Sequence, residues 1–215
     1  MHRLFLLMLL SLLGATTAWS QDSQLPYAEF KFGGYTPKDA DYGNMFGITL
    51  GRKIDDRLYW AVEGNYYKSN YRKETRIADF DTAGINFDER QVELDFTTRI
   101  FMLFGKLDYE LKLGQTPFYF RGSGGLGLEF IWNNENNFVN DTDRTRLFWG
   151  FGYKLSAGVG IKISRMGLLF IDGIYNDASA TRERESNQDG LPVFQNIDVS
   201  GFGFLIGVNI INVGF

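Results

Sequence analysis

The chain of 215 residues has no cysteine, four prolines and a single histidine, His2. Lack of cysteine excludes a disulfide scaffold, a thiol nucleophile and thiolate metal sites. Scarce proline argues against a disordered or collagen-like chain. A formal charge of -4 leaves no basic excess for a nucleic-acid partner. No stretch reaches 18 consecutive apolar residues, so no transmembrane helix is expected. What the chain does hold is 25 Gly, 20 Phe, 11 Tyr and 4 Trp, a combination suited to tightly packed strands.

The first twenty residues read as a leader. Met1 to Arg3 is a short positive segment, Leu4 to Leu13 an apolar run, and Gly14 to Ser20 a small-residue tail. Ala18 and Ser20 suit the -3 and -1 positions of a cut before Gln21, leaving residues 21–215 as one domain. The run is too short for a membrane-spanning helix, which needs about 20 residues. His2 leaves with the leader, so the mature chain is expected to hold no histidine. Losing Arg3 also takes the formal charge from -4 to -5.

Beyond the leader, apolar and small or polar residues alternate with period two, the signature of strands. From Leu147 to Ile163 the odd positions are all apolar or aromatic, and the even ones, Phe148 apart, are small or charged. Segments from Tyr27, Tyr42, Leu58, Phe101, Phe118, Gly167 and Val199 behave alike, which makes eight. Short turns at Asp55–Arg57, Gly114–Thr116 and Ser164–Gly167 alternate with longer polar stretches at 72–91, 133–145 and 177–198. Tight turns on one rim and long polar connections on the other are the outer-membrane barrel pattern.

Three features place the apolar face outside. The other face carries glycines and isolated charges of both signs: Glu29, Lys31, Glu63, Lys106, Asp108, Glu110, Arg121, Glu129, Lys154 and Asp172. Inside a narrow lumen such charges can pair into a structural network. Aromatics gather near segment ends, with Trp60 and Phe118 beside short turns and Tyr66, Trp132 and Trp149 near long connections, as in an interfacial girdle. Phe215 closes the last apolar segment.

On these residues the chain resembles the small eight-stranded outer-membrane barrels of Gram-negative bacteria, the OmpA/OmpX-like family. The resemblance implies an all-β, antiparallel up-and-down transmembrane barrel in the outer membrane, exported through the periplasm. It also implies outer-membrane lipid and lipopolysaccharide as surroundings, and the barrel assembly machinery as the reader of a last strand ending at Phe215. Val213 and Ile211 share the parity of Phe215, whereas Asn209 and Gly207 do not, so a bulge or early strand end is expected near Ile210–Ile211.

Chemistry is thinly represented. Without His or Cys, neither a Ser–His nor a Cys nucleophile can be assembled in the mature chain. Asp79, Asp81, Asp141 and Asp143 form isolated pairs lacking the other ligands of a calcium loop. Gly122 to Gly127 lies inside a strand with no following helix, so it is no phosphate loop. No cofactor and no metal are expected. The leading expectation is a non-enzymatic barrel with a structural or surface-recognition role, engaging an external protein or cell-surface ligand through its long loops. Those connections mix charge with Ile77, Phe80, Ile85, Phe87, Leu191, Val193 and Phe194. The alternative is a narrow channel for small solutes.

Overall fold

The computed structural model describes residues 26–80, 86–139, 141–184 and 193–212. The leader, its cut before Gln21, Val213 and Phe215 lie outside the described residues. So do the side chains of Ile77, Asp79, Phe80, Asp81, Ile85, Phe87, Leu191, Val193 and Phe194.

Among the described residues nine strands follow one another: β1 (Pro26–Pro37), β2 (Gly43–Lys53), β3 (Leu58–Phe80), β4 (Asn86–Lys112), β5 (Phe118–Asn137), β6 (Thr142–Lys162), β7 (Gly167–Arg184), β8 (Val193–Asp198) and β9 (Gly201–Ile211). Each of β1 to β7 pairs antiparallel with the next, and β9 pairs with both β7 and β1, which closes the ring. β8 and β9 occupy one position, because Ser179↔Asp198 and Asn176↔Gly201 lie on one continuous antiparallel register. Val199 N still donates to Ala178 O across the two-residue interruption. The ring therefore has eight positions, as the periodicity predicts.

Following the ladder once around from Tyr27 passes through Gly51, Ala61, Lys106, Gly125, Lys154, Asn176 and Gly201 and returns to β1 at Pro37. A stagger of ten residues over eight strands tilts the strands by ~40° to the axis and leaves an interior that side chains can fill.

Burial shows which face is inside. On β2 the pattern alternates without a break, with Phe46, Ile48 and Leu50 about half exposed and Met45 and Thr49 fully buried. On β1, Phe30 and Phe32 point out while Glu29 and Lys31 point in. The apolar face lies outside and the charges within, the inverse of a soluble barrel.

β1, β2 and β9 have 12, 11 and 11 residues, about the 9–11 that a tilted strand needs to cross a bilayer. β3 to β7 run on for 18 to 27 residues. Much of what reads as loop in the sequence, at 72–91, 133–145 and 177–198, is therefore strand standing above the membrane. Along Asn133–Asn137 neither face is buried, so no apolar alternation marks the strand there, whereas Ala178, Ala180 and Ile197 still point into the interior. A register shift between Lys73 and Glu74 lies in this upper part of the β3–β4 hairpin. At the other end β9 stops at Ile211, and Asn212 takes a φ of 65°, which ends the ladder.

Candidate functional site: a filled lumen and its outer rim

The half of the lumen nearer the short turns is occupied by charge. Five carboxylates (Glu29, Glu63, Asp108, Glu110, Asp172) interlock with four cations (Lys31, Lys106, Arg121, Lys154). Glu63 is the hub. It meets Lys31 Nζ at 2.6 Å and Lys106 Nζ at 2.9 Å, contacts Lys154, and accepts from Thr49 Oγ1 at 3.2 Å and Asn65 Nδ2 at 2.8 Å. Glu29 is a second hub, bound by Arg121, by Lys31 at 3.0 Å, by Lys106 at 3.3 Å and by Asn209 Nδ2 at 3.2 Å. Lys106 also holds Asp108 at 2.9 Å, and the Tyr27 hydroxyl donates to that same carboxylate. Arg121 reaches Glu110 at 3.4 Å and Asp172 at 3.7 Å while lying 3.8 Å over the Phe170 ring.

The sequence makes room for this network by alternating large with small across strands. Lys31 sits between Gly47 and Gly207, Lys106 between Ala61 and Gly125, and Arg121 between Glu110 and Gly158. A Cβ on Gly158 would lie 2.3 Å from Asp172 Oδ1, and one on Gly125 would lie 2.9 Å from Lys106 Cβ. The excess glycine seen in composition thus has a steric cause in the lumen.

Glu129 lies inside with the other charges but apart from their network. It is fully buried, its partner is Asn176 Nδ2 at 2.7 Å, and its second oxygen meets no donor among the described residues. Around it the other half of the lumen is apolar, built from Tyr35, Met45, Tyr67, Ile100, Met102, Phe104, Ile131, Phe148, Ile174 and Leu205. This second plug does not follow from reading the inward face as polar. Its signal was present, since Phe148, Met102 and Phe104 occupy otherwise polar parity.

The five aromatics of the proposed girdle all sit at outward positions: Trp60 half-buried, Tyr66 and Trp132 just exposed, Phe118 and Trp149 more so. Above them the rim carries ion pairs. Glu135 binds Arg144 Nε at 2.5 Å and Arg146 Nη2 at 2.8 Å, and the hydrogen bond from Arg144 lowers its pKa. Lys38 binds Asp198 at 2.7 Å, and that hydrogen bond, with others from Ser200, holds the Asp198 carboxyl down to about 2. Such exposed pairs contribute little individually. Inward of the rim, Asp39, Asp41, Ser69, Tyr71, Phe96, Thr98 and Asn133 line a cup of about 390 Å³ at the outer mouth. Of the aspartates considered for calcium, Asp141 and Asp143 are exposed, and no metal-holding group of three or more acidic residues occurs among the described residues.

A family model described as "Outer membrane protein beta-barrel domain" matches residues 5–209. The chain belongs to that family. It is an outer-membrane β-barrel. Among solved structures it is similar to the outer membrane protein OprG from Pseudomonas aeruginosa, at 16% identity over 87% of this chain and 96% of that one, with a TM-score of 0.52. A major outer membrane protein from Thermus thermophilus gives 10% identity, coverage of 86% and 98%, and a TM-score of 0.52. At these identities the likeness speaks for the fold alone. No curated protein matches the chain in sequence.

Proposed function

We propose that this barrel is non-enzymatic and closed, and that it acts through its surface. The carrying observation is the doubly filled lumen, with an ion-pair lattice in one half and an apolar plug in the other. Steady solute passage would require both to part. Every carboxylate of the lattice lies within ion-pair distance of a cation, and the inward Ser123 and Ser156 hydroxyls bond each other at 2.7 Å. The ten inward charges, Glu129 included, are in this reading structural, and the five outward aromatics anchor the barrel at the membrane interfaces.

The remaining surface able to engage a partner is the tall outer rim of β3 to β7 with its connections, where an external protein or cell-surface ligand would dock. Lipid and lipopolysaccharide surround the wall, and the barrel assembly machinery reads the C-terminal strand.

Purified protein in planar bilayers is expected to be electrically silent. Sustained single-channel steps would sink the closed reading in favour of a narrow channel. Residues 1–20 act as a signal peptide in this account, so N-terminal sequencing of protein extracted from the outer membrane should begin at Gln21. A sequence beginning at Met1 would count against export by cleavage.

A further inference from the structure

Lys68 and Arg99 face each other across β3 and β4 as direct partners, both on the outward face. Like charges directly opposite on one sheet face repel. Neither has an acidic partner among the described residues, whereas the other outward ion pairs of this rim, Arg72–Asp95 at 3.1 Å and Lys38–Asp198 at 2.7 Å, are matched. The outward positions around the rung are Asn44, Asn70, Thr97, Trp132 and, one step towards the membrane centre, Tyr66 and Phe101. None is acidic. Asp95, the nearest outward carboxylate along β4, is engaged by Arg72 Nε and Nη2.

The height of the rung is set by its neighbours. Phe46, Tyr66, Phe101 and Phe130 form a row immediately below, and Trp132 stands beside Arg99. Aromatic belts mark the headgroup level of a bilayer. The two cations therefore project where lipid phosphates lie, on the long-connection side that faces the cell exterior. An arginine fork and an ammonium held side by side suit a phosphate, which would cancel the repulsion between them.

We propose that the Lys68–Arg99 rung is a docking site for the phosphorylated headgroup of the outer-leaflet glycolipid. This rests on the reading of lipopolysaccharide as a surrounding partner and assigns it a place on the wall. Lipid bound there would seat a headgroup against Trp132 and fix one face of the barrel towards its lipid shell.

The test uses the full chain, refolded in detergent micelles, with native mass spectrometry to measure binding of bisphosphorylated lipid A, dephosphorylated lipid A and inorganic phosphate. The wild type should prefer the phosphorylated over the dephosphorylated lipid by about 30-fold. The double variant Lys68→Gln, Arg99→Gln should lose most of that preference. Arg52→Gln, which removes an exposed outward cation near the short turns, should keep it. Without lipid the double variant should fold at least as well as the wild type, since it removes the repulsion. Equal preference in the double variant, or equal binding of both lipids, overturns the proposal. Full competition by inorganic phosphate overturns the assignment to lipid. Heat-modifiable gel migration is read on the same samples. A wild type with no shift would overturn the barrel reading underneath, whereas a shift without lipid preference overturns the docking site alone.

Discussion

Replacing Glu63 with alanine is expected to lower the folding free energy by about 3–5 kcal/mol, the loss typical when one partner of a buried ion pair is removed. The side chain is fully buried, and three cations converge on it: Lys31, Lys106 and Lys154. Alanine would leave three ammonium groups with less counter-charge in a space that water reaches poorly, and Thr49 and Asn65 would each lose an acceptor. Glu63→Gln keeps the shape and the hydrogen-bonding oxygen but not the charge, so it should fall between wild type and alanine. On the rim, Asp198→Asn removes a pair of comparable length whose lysine side chain is 69% exposed, and it should cost at most about 1 kcal/mol. Urea titrations in lipid vesicles, read by gel migration of folded and unfolded forms, separate the three. A loss under about 1 kcal/mol for Glu63→Ala would mean that the lattice fills space without holding the barrel together.

Glu129 should respond in the opposite sense. Among the described residues it has no cation partner, and one of its oxygens faces no donor. Glu129→Gln supplies a donor and removes a charge from apolar surroundings, so the variant should be at least as stable as the wild type in the same titration. A loss as large as that for Glu63 would show that Glu129 is held as an anion by something the described residues do not include.

The contrast between these two residues marks where reading the sequence succeeds. Parity alone assigns Glu63 and Glu129 to one inward face, because strand alternation repeats without regard to height along the barrel. It carries no information about which inward residues share a level, and that depends on the stagger between strands. Lys154 meets Glu63 only because the register runs from Lys154 through Gly125 and Lys106 to Ala61, next to Glu63. The apolar plug was obscured for a related reason. Ile100 to Phe104 is apolar at every position, so alternation vanishes where both faces are apolar, one towards lipid and the other towards Tyr35 and Tyr67. Above the membrane the reverse holds. Asn133 to Asn137 is polar throughout, yet it pairs residue by residue with Thr142 to Arg146. Period-two reading recovers a strand only where its two faces meet different surroundings.

The same reasoning supplies the sharpest test of what surrounds the wall. Leu126 sits near the middle of β5, between Phe118 and Trp132 of the girdle, and is 59% exposed on the outward face with Gly105 and Tyr153 as cross-strand partners. In a soluble barrel, arginine at such a position would meet water and cost almost nothing. In a bilayer it faces hydrocarbon, and Leu126→Arg is expected to cost about 2–4 kcal/mol. Asn134, on the same outward face of β5 but one step beyond Trp132, lies above the aromatic belt, so Asn134→Arg should fall within about 1 kcal/mol of wild type. The dependence on depth is the informative quantity, because a general intolerance of arginine would penalise both positions alike. Unfolding in vesicles should therefore give two clearly different midpoints. Equal midpoints close to wild type would mean that water reaches Leu126, which is incompatible with a wall whose apolar side chains, from Phe30 and Phe46 to Ile206, all point outward into lipid.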